Sequence, residues 1–522
     1  MNATERKRKY LILILIMFIV SSCNKDFLEQ DPQTSLSTDQ LFSSLDNVQP
    51  FLNGLYFKWR STRVNRKGFY LMLGMDESQQ GEYQVRTEAE QAALDKYDGF
   101  LDPNNKPIAE LWNIRWPVVV QASEALVRLN AKFKNANTKD SAEIINYIGQ
   151  AAFYRGAVLF ELATYWGGLP IPEVTEQNIV LSGRKSLPDT YAIIEKDLLL
   201  AVSCLPQKQG SDPRIPTTWA AKALLGKLYM SAPEESGFRD FDKARVQFED
   251  IILHGGFSLV SNFADLWNPY KTAGKEAIYT FFFNNIWPDT NEAQWYTGSR
   301  ACSGNPTNYL GGYDLILPTE FCRTDASVGG LWEDGDLRKM ESIRYDFMNG
   351  DMVPSVYAGF GEDQLLPHIK KYEDIRLNGK ESFYNSGKNM YYLRYADILL
   401  CYAECLNETG NTSGAVIIIN DQVRKRAWGG SLPEDKKWST GMSQEEFRNK
   451  ILDERMRELC FEGWRRFDLI RTNKFVQRIA TYNKWAKESG TISEKHKLLP
   501  IPYVEIKQNP ELTPADQNPG YN

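Results

Sequence analysis

Between residues 257 and 387 the sequence concentrates side chains suited to one kind of chemistry. Trp267, Trp287, Trp295, Tyr296, Tyr309, Tyr313 and Trp332 are interspersed with Asn291, Gln294, Arg300, Asn305 and Asn308. An aromatic plane in polar surroundings can stack on the apolar face of a pyranose while nearby amides and charges take its hydroxyls. Trp295 and Tyr296 are the first-choice stacking pair, Trp287, Tyr309 and Tyr313 come next, and Asn291, Asn305 and Arg300 are the hydroxyl partners. A second contribution is expected from the segment 76–97, where Asp76, Glu77, Gln79, Gln80, Tyr83 and Gln84 crowd together. The competing explanation is that the rings pack loops and the polar residues form a solvated turn. A shallow aromatic face would hold a polymer loosely and repeatedly, which suits capture followed by hand-over.

Catalysis has less to work with. The three histidines, at 254, 368 and 496, are too dispersed for a multi-histidine metal site and leave few candidates for a histidine base. No G-x-S-x-G, Walker A, H-E-x-x-H or G-x-G-x-x-G run occurs, so the local motifs of the common hydrolase, nucleotide, zincin and Rossmann chemistries are missing. A glycosidase needs only two carboxylates at a suitable separation, and Asp76 with Glu77, or Glu333, Asp334 and Asp336, would be the first suspects. No cofactor is expected. No Asp/Asn loop has EF-hand spacing, which leaves open only an irregular Ca2+ site.

The N-terminus carries its own chemistry. Arg6 to Lys9 form a basic stretch, Tyr10 to Val20 is an unbroken apolar run, and Ser21 and Ser22 lead into Cys23. Eleven helical residues are too short to cross a hydrocarbon core of roughly 30 Å, so this reads as a cleaved signal rather than a spanning helix. The cysteine after the small pair predicts a lipoprotein: residues 1–22 are removed, and Cys23 becomes the acylated anchor to the outer membrane. Cys204, Cys302, Cys322, Cys401, Cys405 and Cys460 then remain in an oxidising compartment, an even number that permits bridges without requiring them. No C-x-x-C pair supports a redox motif, and Cys401 and Cys405, four apart in a helical pattern, read as buried thiols.

Composition agrees with a folded protein: 42% hydrophobic, 25% charged, mean hydropathy -0.44. A net charge of -6, with no Lys/Arg-rich tract beyond the first nine residues, argues against nucleic acid. It mildly disfavours strongly anionic ligands as well.

Helices must position these groups. Ile145, Ile148, Ala152, Leu159, Leu162 and Trp166 keep one helical face, stopped by Gly167, Gly168 and Pro170, and Tyr191, Ile194, Leu198, Val202 and Leu205 repeat the pattern. Helices follow at about 218–230 and 242–253. Leu225, Gly226 and Tyr229 have the L-G-x2-Y spacing of a tetratricopeptide first helix, and Ala244 with Phe248 has the A-x3-F spacing of its second. The two-helix plan returns near 391–407 and 415–427. Each such hairpin leaves an apolar face that only a neighbouring hairpin can cover. A last helix opens at a Ser443/Glu446 capping box, with an apolar face running from Phe447 through Cys460 and Trp464 to Phe467. Its other side is dense in Arg and Glu, which reads as an ion-pair lattice against neighbouring elements rather than a site. Periodicity fades between 257 and 389, where Ala277 to Phe283 suggests a strand and Gly, Asn and Pro become frequent.

Five ordered segments then carry a family resemblance: "RGAVLFELATYWGGLPIP", "YYLRYADILLCYAECLNETG", "INDQVRKRAW", "ILDERMRELCFEGWRRFDLIRT" and the ending "LLPIPYVEIKQNPELTPADQNPGYN". They resemble hallmark segments of the SusD/RagB outer-membrane nutrient-binding lipoproteins, and "CNKDFLEQDP" is similar to the leader that sends such lipoproteins to the cell surface. Asp397 stands where the family often has Glu. The resemblance implies a mainly α fold, in which tetratricopeptide-like helical hairpins (mainly 105–256 and 388–522) carry an irregular, loop-rich ligand-binding half (mainly 257–387 plus 70–100) within one domain spanning 23–522. It further implies a binding protein rather than an enzyme, holding an oligo- or polysaccharide, or in some members a peptide, for a SusC-like TonB-dependent transporter. Ligand residues in the family share no motif, so none is carried over by position.

Overall fold

The computed structural model describes residues 38–134, 137–271, 274–304, 309–348, 353–377 and 385–521. Cys23 and the signal segment therefore lie outside the described residues, as does Asn305. The chain divides into two units, residues 1–51 and 52–522. In the first, a short helix Thr38–Leu41 precedes a 3-10 turn Leu45–Asn47 capped by the Ser44 hydroxyl, and the helix Val48–Val64 begins. Phe42 meets Phe51 edge to face at 5.2 Å there.

The second unit is built on antiparallel helices. Trp116–Phe133 packs on Thr138–Trp166, which packs on Leu187–Cys204; Thr218–Ser231 pairs with Phe241–His254, and Tyr395–Glu408 packs against Phe241–His254, Thr412–Ile418 and Gln444–Leu459. The tetratricopeptide spacing has a steric reason. A Cβ on Gly226 would lie 2.6 Å from the Phe248 ring, so glycine on the first helix is what lets the aromatic of the second approach its backbone.

Two expected helices are modified. The segment near 391 begins as a strand, Met390–Arg394, paired antiparallel with Ala277–Phe281, and the helix starts only at Tyr395. The last helix does not run through to Phe467: it stops at Leu459, Phe461 and Gly463 adopt φ of 67° and 81°, and a new helix occupies Arg465–Arg471. This break turns Arg465 inward, where it grips Asp76 at 2.7 Å.

The charged side of Gln444–Leu459 is a buried lattice. Glu458 accepts from Arg338, Arg394 and Arg426, and Glu454 pairs with Arg338, Arg424 and Arg457. Glu276, Asp336 and Glu462 complete the set from other segments. Burial at this density requires near-complete pairing. The lattice fastens the irregular 257–387 region to the helices.

Candidate functional site

Three segments converge to build the site. The first is the short helix Glu82–Thr87; the second comprises the helix Ala293–Thr297, the 3-10 turn Arg300–Cys302 and residues 309–316; the third is the loop 353–366. The loop is tied to the helix N-terminus by paired bonds: the Glu82 amide donates to Asp363 Oδ2 at 2.7 Å, and the Glu362 amide donates to Glu82 Oε2 at 3.0 Å. Gly361, at φ 100°, allows this approach, since a Cβ there would sit 2.9 Å from Glu82 Cβ. The Gln84 side chain donates to the Tyr313 carbonyl, joining the helix to the second segment.

At the junction lies a ring platform. Trp295 stacks on Tyr313 with centroids 4.9 Å apart and planes 29° from parallel. The Arg300 guanidinium lies 4.0 Å from the Tyr313 ring centre, 4.3 Å from Phe360 and 5.3 Å from Tyr83. Tyr83 and Phe360 are in turn 4.6 Å apart, and Tyr357 meets Phe360 edge-on at 6.5 Å. A cation between rings draws them together through their quadrupoles. Tyr313 and Tyr357 remain 37% and 38% exposed, so the cluster stays partly open to solvent instead of closing into a core.

Of the residues expected from sequence, the structure brings Trp295, Tyr313, Arg300 and Tyr83 together. Others are corrected. Tyr296 is buried against Phe69, its hydroxyl bonded to Glu292, because the helix turns it about 100° away from Trp295. Asn291 is 2% exposed and spends its side chain on the Lys388 carbonyl and the Ala293 amide. Asp76 is fully buried between Arg465 and Arg478; burial pushes its carboxyl up, but those two charges win and hold it below the usual range. Glu77 is buried beside it, raised well above the ordinary carboxylate value by desolvation. Gln80 and Gln84 are buried too, so of the 76–84 cluster it is Tyr83 that reaches the platform. Tyr309 packs on Cys302, Leu310 and Phe347, away from the stacked rings. Trp287, 76% exposed, stands on a separate turn with no described contact to the platform.

Phe360 and Tyr357 were missed. Their signal was present as aromatics separated by glycine in "YAGFG", a turn that needs positive φ at Gly359 and Gly361.

A cleft of about 1010 Å³ opens between segments 261–264, 325–341 and 426–429, and holds Glu333, Asp334 and Asp336. Two of these carboxylates are already committed, buried Asp336 and partly exposed Glu333. Asp336 is gripped bidentately by Arg338. Burial pushes Glu333 up, but the hydrogen bond from Arg424 and the charges of Arg457 and Arg424 bring it below the ordinary value. A glycosidase acid must stay protonated near neutrality, whereas Glu333 is held below the ordinary carboxylate value and Asp336 is occupied by Arg338. Among the described residues no group of three or more His, Cys, Asp and Glu is arranged to hold a metal ion, and none of the six cysteines is bridged.

Two family models match the chain: residues 26–230 match one described as "Starch-binding associating with outer membrane", and residues 359–521 match the "SusD family". The chain belongs to the SusD/RagB family. Among SusD-family relatives, it is 25% identical to "SusD-like protein P2" of Formosa agariphila over 543 residues, covering 99% of this chain and 100% of the relative. A SusD homologue from Bacteroides thetaiotaomicron superposes with a TM-score of 0.75 at 21% identity, over 93% of this chain and 99% of that one. Surface glycan-binding protein A from the same organism, in complex with laminarihexaose, superposes with a TM-score of 0.71 at 16% identity, over 91% and 99%. At such identities the shared property is the SusD fold.

Proposed function

We propose that this SusD-family protein is a cell-surface glycan-binding lipoprotein, anchored in the outer membrane through Cys23. It captures an oligo- or polysaccharide and passes it to a SusC-like TonB-dependent transporter. The observation that carries the reading is the ring platform: Trp295 stacked on Tyr313, with Tyr83, Phe360 and Tyr357 around Arg300, half-open to solvent. Stacked, preordered rings offer a pyranose chain apolar faces without the entropy cost of ordering them first. An open face with few charged donors releases its ligand readily, as hand-over demands. Membership of a family whose model is described as starch-binding, and a neighbour solved with laminarihexaose, support a neutral glucan as the first ligand to try.

The protein acts by binding and not by turnover. Asp76 and Glu77 are sealed from substrate, and Glu333 and Asp336 are neutralised by arginines. The test is affinity electrophoresis and calorimetry of residues 24–522 against laminarin, starch, other plant, microbial and host glycans, and a peptide pool. Saturable glycan binding without shortened products is expected. Trp295→Ala should weaken it about 30-fold, the ~2 kcal/mol of an aromatic anchor. Peptide binding with no glycan binding would replace the ligand while keeping the transport role, and released oligosaccharides would overturn the non-catalytic reading.

A further inference from the structure

Beneath the platform a buried polar chain leads from Arg300 to a histidine. The Asp314 carboxylate, 1% exposed and held at φ 52°, accepts from the Arg300 amide at 2.7 Å through Oδ1 and faces Arg300 Nε at 3.3 Å through Oδ2. Arg300 Nη2 donates to the Tyr313 carbonyl at 2.8 Å, which helps hold the guanidinium over the ring. On its far side Asp314 Oδ1 meets His368 Nε2 at 2.9 Å, and His368 Nδ1 lies 2.5 Å from the Leu366 carbonyl oxygen. His368 is 1% exposed, on the strand His368–Ile369 that pairs with Ile343–Arg344, with the Phe347 ring edge-on at 5.2 Å.

Both partners of the ring are acceptors. A neutral imidazole has one N–H and would leave one nitrogen lone pair facing an oxygen in a dry site. Only an imidazolium donates to both. The surrounding charges point the same way. Asp363, 4% exposed, adds a second carboxyl close to Asp314 from the 353–366 loop, and Glu82 adds a third from the short helix, itself bridged to Lys484 at 3.2 Å. Across the strand pair, Arg344 is already matched by Glu373 at 2.5 Å. Arg300 faces Asp314 while Arg323 acts on Asp363, and a charged His368 supplies a second cation to Asp314.

We propose that His368 is the positioning residue of the platform. It holds a structural proton between the Leu366 carbonyl and Asp314, and through Asp314 locks Arg300 under Tyr313, Phe360 and Tyr83. This rests on the platform being the ligand site. It makes ligand grip depend on the His368 bridge: without that ring Asp314 is free to move and Arg300 to release the rings. The Leu366 contact also places the tether at the base of the same loop that carries Tyr357 and Phe360.

The chain has only three histidines, so their ring nitrogens can be followed individually by long-range 1H–15N spectra of histidine-labelled protein. The expected result is one histidine, absent from His368→Gln, with both ring nitrogens protonated in the folded protein under the conditions of the binding assay. A single protonated ring nitrogen at position 368 under those conditions overturns the proposal. Binding of laminarin and crystal structures of His368→Gln and His368→Phe supply the second arm. Both variants should fold with unchanged circular dichroism, lose at least 5-fold in laminarin affinity, and show Arg300 displaced from Tyr313. His368→Gln, which keeps one donor, should lose less. Arg300 unmoved in both crystal structures overturns the positioning role even if laminarin proves not to be a ligand. The underlying site reading fails separately, if Trp295→Ala and Tyr313→Ala bind as the parent does.

Discussion

Trp295 and Tyr296 are adjacent on one short helix and do opposite things, since successive residues on a helix point about 100° apart. Trp295 is partly open and stacked on Tyr313, while Tyr296 is packed into Phe69 at 5.1 Å. Their alanine variants should therefore separate binding from stability. Trp295→Ala should leave the unfolding midpoint near that of the parent while removing ligand. Tyr296→Ala should cost about 3 kcal/mol in urea titrations, the loss expected when a large buried ring leaves a cavity, with ligand affinity of the remaining folded protein retained. Lys388 offers a second residue-scale test. Its ammonium is buried, and desolvation brings it down to about 7 although Glu373 and Asp374 pull the other way; Nζ donates to the Glu373 carbonyl at 2.7 Å. Between pH 7 and the ordinary Lys value of 10.5 the unfolded chain binds a proton that the folded chain refuses, so this residue's penalty is complete at and below pH 7 and vanishes as pH approaches 10.5. Lys388→Met should gain most over the parent at pH 7, by a few kcal/mol, and progressively less toward pH 10. An advantage that does not change over that range would refute the depressed lysine.

At the scale of elements, the hairpin Thr218–Ser231/Phe241–His254 shows how a repeat signature is a packing instruction. Gly226 is unfavourable for helix formation, yet Ala there would place a methyl 2.6 Å from the Phe248 ring. The helix propensity gained is about 1 kcal/mol and the overpacking cost about 1–3 kcal/mol, so Gly226→Ala should destabilise despite improving the helix. Restoring part of that loss with Phe248→Leu in the same chain would show that the ring is the obstacle. The interruption after Leu459 follows similar logic. Amphipathicity continues past Cys460, but a straight helix would carry Arg465 away from Asp76, and the turn through Phe461 and Gly463 satisfies that buried carboxylate. The loop 353–366 is held on helix Glu82–Thr87 by reciprocal carboxylate–amide bonds, which is why ring residues almost 280 positions apart in sequence share one face.

Across the whole molecule, the buried ion lattice ties stability to pH in one direction. Burial pushes Glu454 and Glu458 up, but Arg338, Arg424, Arg457, Arg426 and Arg394 overcome it, taking Glu454 to about 2 and Glu458 lower still. Their folded values lie below the ordinary 4.5, so their contribution is present above that pH and is lost progressively as pH falls from 4.5 through the folded values. His496 is also lowered, to about 4, chiefly by burial and then by Lys495 and Arg466. The unfolded chain protonates this histidine first, so stability drops between about 6.5 and 4 before the carboxylates begin to contribute. Thermal midpoints should fall in two stages on acidification, and His496→Gln should flatten the upper one. Glu458→Gln leaves Arg338, Arg394 and Arg426 facing an uncharged partner in a dry interior, a loss of about 3–5 kcal/mol at neutral pH. A Glu458→Gln protein as stable as the parent at pH 7 would show that the lattice is dispensable.

Local pattern determined the helical scaffold, the Gly226–Phe248 seam, the capped start of the last helix and the meaning of its Arg/Glu run, because each depends on residues three or four apart on one backbone. The same locality revealed the Ala277–Phe281 strand, but not its partner, which lies more than a hundred residues away. Composition marked the 257–387 region as the place for rings, and of the residues singled out there Trp295, Tyr313 and Arg300 lie together in the structure. Tertiary structure alone decided which rings face outward. Burial of Tyr296, Asn291 and Asp76 is set by neighbours distant in sequence, Phe69, Lys388 and Arg465, and no spacing rule contains them. The joining of Tyr83, Arg300 and Phe360 into one platform likewise depends on loops with no periodicity, whose geometry is fixed by single hydrogen bonds and a buried histidine rather than by a repeating pattern.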